Sequence, residues 1–275
     1  MIHLGCAGWS YQHWRGTFYP RNVENELTFY SNYSLLNEIN TTFYRIPSES
    51  MINRWYHSTP DDFIFSAKLT REVTHVSRPS LKTDKISMFF LRMQGLEEKL
   101  QSILIQFPPR FRNTKETYTF LCQILEKCSN LFSGQLVLEI RNKSWFTPEV
   151  KDLLNDMSIT LAETTTLNIP EEYQNENVPL YYIRLLGDRK LIPDEKLGEF
   201  FLDKNKERKD WAWKLVELSK RYDTIFVLIN NRFSGYAIND AISLRKILTR
   251  ENISTQGFEK DDKYIKRQMS LREFF

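Results

Sequence analysis

Eight short apolar runs punctuate the chain, at residues 2–7, 38–43, 63–68, 103–107, 135–141, 159–163, 180–186 and 224–230. They are rich in Ile, Val, Leu and Phe, as parallel strands buried on both faces are. Amphipathic segments lie between them, most clearly at residues 24–37, 82–100, 114–127, 147–157 and 207–221. After the eighth run, residues 235–248 set Ala237, Ala241, Leu244 and Leu248 at helical spacing. Alternating strands and helices predict an α/β chain with a parallel sheet. Eight such units in 275 residues favour one (β/α)8 TIM-like barrel over an open sheet. An open doubly wound sheet would show a glycine-rich first turn, whereas this chain has Gly8-Trp9-Ser10-Tyr11 there. The barrel is expected over residues 1–249. The charged stretch 250–275 is expected to be a short C-terminal extension, a tail or an added helix. Two polar stretches, 164–179 and 188–210, have the length of lids or disordered loops.

The strands turn polar towards their C-terminal ends. Side chains alternate between faces along a strand. That rule places Gln135, Val137, Glu139 and Arg141 on one face of the fifth run. Glu38, Asn40 and Thr42 share a face of the second, and Ser66 and Lys68 a face of the third. Gln106, Glu163, Arg184, Asn230 and Asn231 stand at or near the ends of the others. An unpaired buried charge costs several kcal/mol, so such groups need a wet pocket or mutual pairing. The C-terminal mouth of a barrel supplies both and is where barrel enzymes place their sites. Three carboxylates (Glu38, Glu139, Glu163) then face three cations (Lys68, Arg141, Arg184), a mixture suited to a polar, anionic ligand. Two of the carboxylates would divide acid and base work if their environments separate their pKa values. The competing reading is a structural ion-pair network around Glu139.

Aromatic residues crowd the early loops: Trp9, Tyr11, Trp14, Phe18 and Tyr19, then Phe43 and Tyr44, and later Trp145. They are placed either to stack on a ligand or to pack the rim. His75, after the third strand, is a candidate proton shuttle or ligand. Pro108-Pro109 stiffens the loop after the fourth.

Composition narrows the class without naming a reaction. Hydrophobic residues make up 41% and charged residues 27%, a globular balance, and the net charge of +3 is too mild to argue for nucleic acid by itself. Cys6, Cys122 and Cys128 form no CxxC pattern and are expected to be reduced, in a cytoplasmic protein. Four histidines are too few for a His-rich multi-metal site. A carboxylate-bound divalent metal is compatible with the chain but not indicated, so no metal ligand or cofactor is assigned. No apolar run reaches membrane-spanning length, and the first residues read as a strand, not a signal peptide.

The chain resembles the YecE-like family, catalogued as domain of unknown function seventy-two. The resemblance rests on Gly8-Trp9-Ser10-Tyr11, Trp14-Arg15-Gly16, Phe18-Tyr19-Pro20, Glu38-Ile39-Asn40 and Thr42-Phe43-Tyr44. It continues through Thr59-Pro60, Phe65-Ser66, Lys68, Thr74-His75, Gln106 and Pro108-Pro109. Its last members are Glu139, Arg141, Ser144-Trp145, Arg184, Gly187 and Asn230-Asn231. It implies a (β/α) barrel and no established activity. The chain departs from the family's pattern at Asn142 and Leu186, where His is usual, and at Glu163, where Asp is common. Those departures would alter specificity or activity if the histidines act in relatives.

The expected function is an enzyme acting on a small polar or anionic, sugar- or phosphate-like substrate at the strand ends. The chemistry expected is that of a hydrolase, lyase or isomerase using carboxylate acid–base groups. Glu139, Glu38, Glu163 and His75 are the candidate catalytic residues. Trp9, Tyr11, Trp14, Asn40, Tyr44, Ser66, Lys68, Gln106, Arg141, Trp145, Arg184, Asn230 and Asn231 are the candidate binding residues. Two alternatives stand beside it. One is a nucleic-acid-processing barrel similar in architecture to endonuclease IV, suggested by the aromatic loops with Arg15, Arg45 and Lys68. The other is a non-catalytic ligand-binding or scaffold protein. A small-molecule ligand, with nucleic acid as the other candidate, is the expected partner; oligomeric state is left open.

Overall fold

Parallel ladders organise the sheet of the computed structural model, which describes residues 1–176 and 178–259. The strands are β1 (Ile2–Cys6), β2 (Leu36–Ile39), β3 (Ile64–Lys68), β4 (Leu100–Gln106), β5 (Gln135–Glu139), β6 (Thr160–Leu161), β7 (Glu163–Thr164), β8 (Tyr181–Leu185), β9 (Ile225–Ile229) and β10 (Thr255–Gln256). The α-helices are α1 (Glu26–Ser31), α2 (Glu49–His57), α3 (Arg71–Thr74), α4 (Thr83–Met93), α5 (Lys115–Ser129), α6 (Pro148–Asp156), α7 (Asn205–Leu218) and α8 (Ala237–Arg250). The hydrogen-bonded order is β6-β5-β4-β3-β2-β1-β9-β8-β7, with β10 beside β1. β6 and β7 are two halves of one stretch interrupted at Ala162. The first half pairs with β5 and the second with β8, so the covalent chain joins the two ends of that order. This is the order of a (β/α)8 TIM-like barrel.

Contacts divide the chain into two compact units. The first comprises Met1–Asn37, Ser58–Phe63 and the chain from Leu185 onward. In it, β1 pairs with β9 over five residues, from Ile2 with Ile225 to Cys6 with Ile229. Its aromatic loop folds on itself. Trp14 is fully buried, with its indole N–H donating to Asn231 Oδ1 at 3.1 Å. Tyr19 donates to the Trp9 carbonyl at 2.7 Å, and Tyr11 to the Ala7 carbonyl at 2.5 Å. Gly187 is obligatory, because a Cβ there would lie 1.4 Å from the Arg232 carbonyl oxygen. Thr255–Gln256 pairs with β1, so part of the expected tail is a strand; the remainder of that expectation, residues 260–275, lies outside the described residues.

The second unit comprises Glu38–His57 and Ile64–Arg184. α5 shows why these segments are helical. Thr114 and Thr117 form a reciprocal capping box, and Phe120, Leu121, Ile124, Leu125 and Cys128 are buried at helical spacing. The helix expected over 82–100 ends at Met93 and continues to Lys99 as tighter turns, with Glu97 at φ 48°. The second strand is also corrected. It stops at Ile39, and Asn40 and Thr42 leave the strand for a tight turn over Thr41–Phe43. Thr42 Oγ1 draws the chain into that turn by donating to the carbonyls of Ile39 at 2.9 Å and Lys68 at 2.7 Å.

Candidate functional site

The second unit gathers a ring of charged and polar side chains from five strands. Register brings them to one face: Ser66 pairs with Ser102, Lys68 with Leu104, and Gln106 with Glu139. Residues paired across a ladder, and residues two apart along a strand, share a face. Tyr182 and Arg184 obey the same alternation on β8.

Arg184 is the hub. Its Nε donates to Glu38 Oε2 at 2.8 Å and its Nη2 to Glu38 Oε1 at 2.6 Å, a two-point clamp. Its Nη1 donates to Glu139 Oε2. Both carboxylates are fully buried and Arg184 is nearly so. Burial opposes the charge of Arg184, but the two carboxylates outweigh it and raise its pKa further. Burial alone would raise Glu139; Arg184, Arg141 and Lys68 overcome it and hold the carboxyl at about 2. The Tyr182 hydroxyl completes the inner ring, 2.9 Å from Glu38 Oε2 and 2.7 Å from Ser66 Oγ.

Lys68 and Arg141 form the outer part. Lys68 Nζ donates to Gln106 Oε1 at 2.7 Å and lies 4.0 Å from the centre of the Phe43 ring. Gln106 is fixed in turn, because its Nε2 donates to the Phe107 carbonyl at 2.6 Å. Burial, followed by the charge of Arg184, lowers Lys68 to about 7 against the opposing pull of Glu139 and Glu38. Arg141 lies beyond the end of β5 and donates from Nε to Glu139 Oε1 at 2.5 Å, with 28% of its side chain exposed. His75 stands 2.9 Å from Thr74 Oγ1 and meets the Phe43 ring edge-on. Burial, then Lys68, Arg110, Arg141 and Arg71, lower His75 to about 4, so its imidazole is neutral at neutral pH.

The other expected members make other contacts. Glu163 pairs in register with Ile183, whose side chain alternates with Tyr182 and Arg184. Its carboxylate accepts instead from Tyr181 at 2.8 Å, on the opposite face of β8. The interruption at Ala162 hides this in the sequence. The Trp145 indole is buried, stacked on Phe111, and donates to the Phe111 carbonyl at 2.7 Å. Tyr44 is 68% exposed, and Asn40 flanks the turn that follows β2. Trp9, Tyr11, Trp14, Asn230 and Asn231 belong to the first unit. There Asn231 Oδ1 also caps α8 at the Ala237 N–H, and Asn230 Oδ1 accepts from the Arg232 N–H at 2.9 Å.

Tyr182 was absent from the sequence-derived set, although its i, i+2 relation to Arg184 was a usable signal. The buried Arg208–Asp240–Ser234 cluster of the first unit was also missed. Arg208 lies 32 positions from Asp240, with no local pattern to couple them. Among the described residues, no group of three or more His, Cys, Asp or Glu side chains converges to hold a metal ion. No described helix is long and apolar enough to cross a membrane.

Residues 3–262 match the family model described as protein of unknown function DUF72. The chain belongs to the DUF72 family. The UPF0759 protein YunF of Bacillus subtilis (strain 168) is 27% identical over 280 residues, covering 91% of this chain and 96% of that protein. The UPF0759 protein YecE of Escherichia coli (strain K12) is 29% identical over 111 residues, 40% of this chain and 39% of that one. The crystal structure of a DUF72 family protein from Enterococcus faecalis V583 superposes with a TM-score of 0.74 at 23% identity, covering 95% of this chain and 99% of that one. That likeness shows a shared fold. For this DUF72 member, the resemblance in the motifs and the family match agree.

Proposed function

We propose that this protein is an enzyme acting on a small anionic, sugar- or phosphate-like substrate, bound at the outer part of the ring. The observation that carries the reading is an imbalance of charge in a largely buried place. Glu38 and Glu139 are both engaged by Arg184, while Arg141 and Lys68 add further positive charge beside them. Two carboxylates thus meet three cations when Lys68 is protonated, and an anionic ligand balances the excess.

The acid–base group on this reading is Lys68, not Glu139. A carboxyl held at about 2 does not give up a proton at neutral pH and is a weak base. An amine near 7 exchanges its proton readily there. Arg184, Glu38 and Tyr182 position the ring, and Arg141 holds the ligand.

Thermal unfolding with a panel of phosphate, sugar phosphates and small carboxylic acids tests this. A binding anion raises the unfolding temperature by mass action, and Arg141→Ala removes the rise. A panel without any shift, or a shift that Arg141→Ala leaves intact, overturns the reading. A shift without turnover of the bound compound supports the ligand-binding alternative. A shift only with DNA or RNA, falling steeply with salt, supports nucleic-acid processing instead.

A further inference from the structure

We propose that Lys68 is a nucleophile that forms an imine with the carbonyl carbon of a small 2-oxo acid, whose carboxylate is held by Arg141. This deepens the anionic-substrate reading above and rests on it.

Three features of the geometry lead there. First, the Lys68 amine is fixed. Gln106 Nε2 is committed to the Phe107 carbonyl, so Oε1 is the atom that faces Nζ and accepts one of its N–H bonds at 2.7 Å. A neutral amine that donates along this line directs its lone pair away from Gln106. Second, Lys68 is largely out of water, with 8% of the residue exposed. Burial and the adjacent Arg184 guanidinium favour the neutral, nucleophilic form, whereas the Phe43 ring and both glutamates favour the ammonium. The outcome is an amine near 7, so a large share is neutral at neutral pH. Third, Arg141 is pinned through Nε to Glu139 with its side chain partly exposed, and a guanidinium is a two-point partner for a carboxylate. A 2-oxo acid carries a carbonyl for the amine and a carboxylate for the guanidinium, two groups close enough for each to feel the other's charge. His75, neutral and against Phe43, adds no competing charge.

The step balances without an added oxidant or reductant. The Nζ lone pair attacks the carbonyl carbon, the C–N bond forms and the C=O π pair moves to oxygen. A proton passes from nitrogen to that oxygen, giving a carbinolamine. Loss of the hydroxyl and the remaining N–H proton as water leaves the C=N bond of the imine. Arg184 and Glu139 stay paired throughout and keep the ring charged.

The test is reductive trapping on the full chain with glyoxylate and cyanoborohydride at neutral pH, read by intact mass and peptide mapping. The imine takes up hydride and becomes a stable secondary amine. Lys68 is expected to react roughly a hundredfold faster than an ordinary exposed lysine, its roughly thousandfold larger neutral fraction being offset in part by the weaker nucleophilicity of a less basic amine. Acetaldehyde, which lacks the carboxylate, is expected to react about tenfold more slowly at Lys68. Arg141→Ala abolishes that preference. Lys68→Arg, which keeps the charge, loses the adduct while retaining the glyoxylate-induced thermal shift. Modification spread over surface lysines with Lys68 untouched overturns the proposal. If glyoxylate shifts the unfolding temperature through Arg141 yet no Lys68 adduct forms, the imine is wrong and the anion-binding reading stands. If no anion shifts it and no adduct forms, both fall.

Discussion

Arg184 grips Glu38 at two points, Nε to Oε2 at 2.8 Å and Nη2 to Oε1 at 2.6 Å, with both side chains out of water. A buried pair of this kind is weak evidence of net stabilisation, because both ions lose hydration. Breaking it from one side is another matter. Arg184→Met leaves the buried Glu38 carboxylate without a cation and Glu139 with Arg141 alone as its ion-pair partner, and is expected to destabilise the fold by about 3–5 kcal/mol. Urea denaturation with a two-state fit checks this. A loss of only a few tenths would mean that the ring is solvated and not a closed network.

The Tyr182 hydroxyl links Glu38 to Ser66 within the same network. Tyr182→Phe keeps the ring's volume and leaves Glu38 with Arg184 alone. The expected cost is about 1–2 kcal/mol in the same denaturation assay.

Acid should undo the Glu139 interaction in a defined window. Its folded value of about 2 lies below the ordinary 4.5, so the unfolded chain binds the proton first. The stabilisation is complete above 4.5 and is lost as pH falls towards 2. Unfolding free energy measured through that range should drop more steeply for the native protein than for Glu139→Gln.

Lys68 predicts a rise of the same sign at alkaline pH. The folded amine releases its proton near 7 and the unfolded one near 10.5. Between those values the unfolded state holds more protons, so stability rises with pH. Burying the ammonium costs most below 7, and Lys68→Met should flatten the alkaline rise. An unchanged slope in that variant would place the titration elsewhere.

Glu163 offers a negative control for the site. Its carboxylate meets Tyr181 on the far face of β8 from Arg184. Glu163→Gln is expected to cost about 1 kcal/mol of stability, from a weakened buried hydrogen bond. The thermal shift given by a bound anion should survive it, whereas Arg141→Ala should remove that shift.

Much of this organisation is legible in the sequence. The eight apolar runs correspond to the sheet, with the sixth divided into β6 and β7. Glu38, Ser66, Lys68, Gln106, Glu139 and Arg184 share one ring because strand alternation is a local rule that survives folding. The rule failed where the backbone departed from a plain strand. At Ala162 the stretch breaks between two partners, and after Ile39 the Thr42 hydroxyl turns the chain out of the sheet. Short helices such as α2 escaped because Ile52 and Trp55 alone carry their buried face.

By itself, the sequence determined the alternation of strands and helices, and which side chains stand at the strand ends. Those follow from hydrophobic period and turn chemistry, which act over a few residues. Only the tertiary structure decided that Arg184 pairs with both Glu38 and Glu139, and that Lys68 is an amine near neutrality. Those properties depend on distance and burial among groups up to 146 positions apart, and no local pattern encodes them.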